Sequence, residues 1–210
     1  MTYYWDPKAG RYRDERGRFV SRATVLAWAR QSMEATGSHV DTLSELVSSG
    51  VLKPDDWASL FRQEIKEEWL AQYIAGRGGV DQMTPADWGW IGGKLNAQYN
   101  RYLARFLEDI KAGKLSPAQI AARARMYILS AEHAYWQANH VAQLAAGYDA
   151  VRWVLDPNCE NCPDCIAFAG MGWQKTSEDP YGGCFPGSGC TQCLGNCHCI
   201  LEYGKWDEVK

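Results

Sequence analysis

The chain has 210 residues, 46% of them hydrophobic, and a formal charge of -3. That length holds one medium domain or a core domain with a small appendage, and the near-neutral balance excludes a chain-wide polyanion binder. The chain does not open with a basic segment and an apolar run, and no window nears eighteen consecutive apolar residues, so neither a secretory leader nor a membrane-spanning helix is expected.

A soluble protein of a reducing cytosol is the default, and there clustered cysteines favour metal over disulfides. Eleven Tyr and ten Trp predict large aromatic anchors in a core or on docking surfaces.

Residues 1–22 read as an extended N-terminal arm without helical period. From Lys8 to Arg22 they hold six basic residues against two acidic ones. Tyr4, Trp5, Tyr12 and Phe19 are candidate anchors, with Arg16 and Arg18 as the rim, for a partner on which the arm orders. An arm packed on its own domain is the alternative.

Residues 23–147 read as a helical domain. Ser21 or Thr24 caps a segment through about Met33, and a second short amphipathic piece covers Ser38 to Val47. Pro54 opens a long helix to about Ala75, whose stripe is Trp57, Leu60, Phe61, Ile65, Trp69, Tyr73 and Ile74. Thr84 caps the next, with Trp88, Ile91, Leu95, Tyr99, Tyr102, Leu103, Phe106 and Ile110 as its stripe. Gly92 and Gly93 interrupt that helix and suit close packing or a kink. Ser116 caps a last long helix that runs to about Ala146 and carries His133 and His140 on one face as helix-surface or core-edge side chains. Short Gly/Pro connections predict neighbouring, roughly antiparallel helices, so the fold class is mainly α.

Residues 148–210 read as a small Cys-rich α+β module. "YDAVRWVL" is a predicted strand, and "HCILEY" is a second that pairs with it. Everything between Asp156 and Cys199 reads as loop. All eight cysteines lie there: Cys159, Cys162, Cys165, Cys184, Cys190, Cys193, Cys197 and Cys199. Cys162-x2-Cys165 and Cys190-x2-Cys193 have the spacing of zinc knuckles, where a tight turn aims two thiolates at one ion. The segment has too few large apolar side chains to pack a core, and a structural zinc ion supplies the free energy it lacks. The best tetrad takes Cys162, Cys165, Cys193 and either Cys197 or Cys199. On a strand the last two share a face and His198 points away. Eight cysteines allow one or two ions, and all eight are candidate ligands.

"CPDC" also matches a thiol–disulfide redox motif, but such a motif wants a helix start inside a βαβ unit, and no parallel sheet is predicted. A zinc ribbon that binds nucleic acid is a further alternative. Against it, the stretch from Cys159 to Cys199 holds one lysine, Lys175, and no arginine. No catalytic residue is expected.

"VRWVLDPNCENCPDCIAFAG", followed by "PGSGCTQCLGNCHCILEY", resembles the C-terminal module of phage minor head proteins, the head-morphogenesis family of phage Mu protein F and its Bacillus-phage counterparts. Trp153, Asp156, Cys162, Cys165, Asn196, Cys197 and Cys199 occupy the family's motif positions. His198 replaces the usual basic residue, and Cys159 and Cys190 are additional. The resemblance covers about 50 residues strongly and the helical part only in kind. It implies a non-enzymatic structural role in head morphogenesis, in multiple copies at the portal vertex or head interior, after assembly in the host cytoplasm. Implied partners are the portal and the major capsid protein, with packaged DNA as a further contact through the arm and no membrane.

Overall fold

The structure is a computed structural model that describes residues 3–6, 9 and 11–209. The fold is mainly α, with a three-stranded antiparallel sheet at each end of the chain. Among the described residues no helix is long and apolar enough to cross a membrane.

Residues 1–22, expected as an extended arm, carry a meander of β1 (Tyr3–Asp6), β2 (Arg11–Asp14) and β3 (Phe19–Val20). Trp5 pairs with Tyr12, and Tyr12 with Val20. The β2–β3 turn closes because the Asp14 carboxylate accepts the N–H groups of Arg16 and Arg18 at 3.0 and 2.9 Å. Gly17 there adopts a positive φ of 75°. Tyr3 and Tyr12 are buried, so the meander already sits on its own domain. Pro7, Lys8 and Gly10 lie outside the described residues.

Capped by Ser21, α1 (Arg22–Ser48) is one helix of 27 residues where two shorter ones were expected. Gly37 costs it about 1 kcal/mol against alanine. The Arg125 side chain lies over that glycine and grips Asp41 at 2.8 Å, so packing on a neighbouring helix overrides the propensity.

α2 (Pro54–Arg77) starts at the expected proline. Its stripe is buried except for exposed Leu60 and half-buried Ile74. Glu68 lay off the expected stripe but is buried, because Ser32, Thr36 and Gln72 all donate to its carboxylate.

α3 (Pro85–Ala97) begins with a capping box between Thr84 and Asp87, and Tyr73 of α2 donates to Asp87 at 2.7 Å. A Cβ at Gly92 or Gly93 meets open space, so neither marks a close contact, and the helix runs unbroken through both. The irregularity comes later, as a π-helical segment, Gln98–Leu103, that leads into α4 (Ala104–Lys111). Of that stripe, Trp88 and Tyr102 are exposed.

The last expected long helix is two: α5 (Pro117–Leu129), capped by Ser116, and α6 (Glu132–Ala145). The break falls at Ser130 and Ala131, where the Ser130 hydroxyl turns back to the Tyr127 carbonyl at 2.7 Å.

α2 packs chiefly on α6, and α1 on α5. Gly76 permits the first contact, because a Cβ there would strike the Tyr135 carbonyl oxygen.

β4 (Ala150–Val154) is the central strand of the second sheet, flanked by β5 (Gln174–Lys175) and β6 (Ile200–Gly204), all antiparallel. Trp153 faces Leu201 across the expected pairing. The region between the strands is not all loop, for α7 (Pro163–Gly170) lies inside it. A short α8 (Trp206–Val209) ends the described chain.

One hydrophobic core fills the space between the helices. A second joins Tyr3 and Tyr12 of the meander, Tyr135 and Trp136 of α6, Trp153 and the buried cysteines. The cysteine module therefore shares a core with the helical body.

Candidate metal centre

β4 delivers the chain to Asp156, and a turn returns it to Cys162, which is the N-cap of α7 with Pro163 at the first helical position. One helical turn carries the chain on to Cys165, which is buried. Cys193 ends the opposite loop, and Cys197 and Cys199 lie on the approach to β6. Both of the latter are buried while His198 between them is exposed, the strand alternation expected from sequence.

Cys162, Cys165 and Cys193 have sulfurs within 4.8 Å of one another, and so do Cys165, Cys197 and Cys199. The Cys165 Sγ is 3.7 Å from that of Cys193 and 3.7 Å from that of Cys197. A zinc–sulfur bond of about 2.3 Å gives a tetrahedral edge of about 3.8 Å, so these separations suit zinc without rearrangement.

The electrostatics fit a cation too. Burial raises the Cys162 thiol, but the backbone N–H groups of Cys165 and Cys193 outweigh it and hold the thiol below its ordinary range. Burial pushes Cys165 up, and its thiol neighbours add to the rise. The hydrogen bond between Cys197 and Cys199 raises Cys197 and lowers Cys199 to about 6. The buried Trp153 indole N–H, which has no other partner among the described residues, adds to the lowering at Cys199. Packed together, these thiols resist full ionisation unless a cation is among them, which is the chemistry of a thiolate metal site. Zinc bound there would supply a fixed crosslink between the α7 and β6 segments.

Three of the eight expected ligands stand apart. Cys184 and Cys190 form a disulfide, their Cα atoms 5.9 Å apart across six positions of sequence. Spacing alone had paired Cys190 with Cys193 as a knuckle, but the turn at Gly187 and Gly189 brings it to Cys184 instead. The Cys159 sulfur reaches the Asp156 carbonyl and Asn161 Oδ1, and it belongs to neither thiol triad. Burial and the nearby Asp156 charge raise its pKa.

Two residues without a sequence signal tie the centre to the helices. Arg30 of α1 donates to Glu132 of α6 at 2.7 Å and to the carbonyls of His198 and Cys199 at 3.0 and 3.2 Å. Glu132 is buried, and Trp136 also donates to it. Burial raises the Glu132 pKa, and Arg30 is the chief opposing influence. Arg30 and Glu132 are 102 positions apart, so only the folded chain reveals the pair.

Of the two expected placements, His133 and His140 take the core-edge one, each half-buried. Phe185 lies against both rings, and the Tyr203 hydroxyl is 3.0 Å from His140 Nδ1.

The redox reading gains one feature and lacks another. Cys162 does stand at a helix start, contrary to the sequence expectation, but the sheet beside it is antiparallel, and the described residues form no βαβ unit. A cavity of about 800 Å³ runs along β6 between α1 and α6, and none of the free thiols lines it.

The residues expected to meet a partner divide. Tyr4 and Phe19 are 41% and 48% exposed, and Arg16 and Arg18 are exposed beside them. Trp5 is half-buried against Gly78, whose carbonyl accepts its N–H. Tyr12 is only 2% exposed and belongs to the core rather than to a docking surface. Comparison with protein-family models, curated proteins and solved structures found no match to this chain.

Proposed function

We propose that the chain is a non-enzymatic structural protein of a phage virion. In this reading it acts in head morphogenesis at the portal or inner capsid, and structural zinc holds its Cys-rich module. The convergence of five thiols from segments about thirty residues apart carries the zinc reading. The virion reading rests on the resemblance of the segment from Val151 to Tyr203 to phage minor head proteins. The exposed aromatic and arginine side chains Tyr4, Phe19, Arg16 and Arg18 supply a docking surface for portal or capsid protein, and for packaged DNA.

Co-sedimentation of the full chain with portal assemblies tests the role. Retention that is lost with a Tyr4→Ser/Phe19→Ser double variant is expected. No retention, together with absence from mature particles, overturns it. The placement of Cys162 at a helix start favours a thiol–disulfide enzyme as the second reading. Insulin reduction that disappears with Cys162→Ser would establish that instead.

A further inference from the structure

A tetrahedral four-thiolate site needs every sulfur about 3.8 Å from the other three. The five thiols of the cluster are not arranged that way. Among the described residues no four of them lie within 4.8 Å of one another, whereas two sets of three do. The two triangles meet at a single corner, Cys165. Its sulfur is 3.7 Å from Cys193 in one and 3.7 Å from Cys197 in the other.

The chain produces this geometry simply. Cys165 is buried in the first turn of α7, between the two incoming segments. Cys162 and Cys193 complete one triangle with it, and Cys197 and Cys199, alternate buried residues on the approach to β6, complete the other.

Resting on the metal-staple reading, we propose that the cluster holds two metal ions with the Cys165 thiolate shared between them. One ion is held by Cys162, Cys165 and Cys193, and the other by Cys165, Cys197 and Cys199. A thiolate sulfur has lone pairs enough to bind two cations. Charge balance favours the arrangement as well: one divalent ion offsets two of the five thiolate charges, and two ions offset four. Each ion keeps one position for a ligand that is not a thiolate. Asn161 Oδ1, 3.6 Å from the Cys199 sulfur, stands beside the second triangle.

Native mass spectrometry with elemental analysis of the full chain, purified without chelator, tests the count. Two zinc equivalents per chain are expected. Cys162→Ala and Cys199→Ala should each retain one equivalent, and Cys165→Ala should lose both. The unmodified chain decides the matter even where a variant fails to fold. A single equivalent in it overturns the shared thiolate and leaves the staple standing, whereas no metal at all overturns both. Cobalt titration gives an independent reading. The thiolate-to-metal charge-transfer band should rise to two equivalents, and saturation at one contradicts the proposal.

Discussion

Replacing Arg30 by methionine should destabilise the protein through the carboxylate it leaves behind. Methionine keeps much of the apolar stem and removes the charge. The Glu132 side chain is 5% exposed and that of Arg30 27%, so the pair is mostly desolvated. Removing one partner of a buried pair costs about 3–5 kcal/mol, and the partial exposure of Arg30 places this one near the lower limit. Two hydrogen bonds to the His198 and Cys199 carbonyls go with it. A loss of about 3 kcal/mol lowers the melting temperature by roughly 6–12 °C for a chain of this size.

The sign of the pH dependence is also fixed. Without Arg30 the folded-state pKa of Glu132 rises further above its unfolded value, because burial already raises it. The variant then binds a proton more readily when folded, so its deficit is smallest at acid pH and grows as pH rises. Thermal melts of the zinc-loaded wild type, Arg30→Met, Glu132→Gln and the double variant, at pH 5 and pH 8, measure this. The double variant should recover part of the loss. An Arg30→Met protein that melts with the wild type, or whose deficit is the same at both pH values, would refute the reasoning.

His133 is held at about pKa 4, chiefly by burial, with the Lys94 charge assisting. Its depressed folded-state pKa means that the stability it confers is whole above about pH 6.5 and is lost as pH falls toward 4, by up to about 3 kcal/mol. A His133→Phe variant should show a shallower acid slope in urea melts. Exchanging Cys184 and Cys190 for serine should cost about 2 kcal/mol for the short loop they close, with zinc content unchanged by elemental analysis. A loss of zinc would return them to the ligand set. Tyr12→Ala should cost about 3 kcal/mol in denaturant melts, whereas Phe19→Ala should stay within about 0.5 kcal/mol.

The helix starts were legible because their signals are local. Ser21, Pro54, Thr84 and Ser116 each act on the next three or four residues, and each opens a helix where expected. Helix interiors were harder. Gly37 reads as a breaker until Arg125 is seen across it, and the Ser130 break leaves no interruption in the apolar pattern. The pairing of β4 with β6 follows from two alternating segments, but α7 is too short for its period to stand out among prolines and glycines.

At the site, the cysteine spacing pointed to a metal cage whose best tetrad was Cys162, Cys165, Cys193 and either Cys197 or Cys199. It could not remove Cys159, Cys184 and Cys190 from the eight candidates, since only the folded loop shows which thiols meet. Nor could it find Arg30 and Glu132, whose meeting depends on how α1 crosses α6.

The central claim is that a metal ion staples the Cys-rich module internally, α7 to the approach of β6, and a chelator melt tests it most directly. Protein as purified should contain zinc. Stripping it should lower the melting temperature by at least 10 °C, on the scale of structural zinc sites, and readdition should restore it. Protein that is metal-free as isolated, and that melts at the same temperature with and without added zinc, would contradict the account.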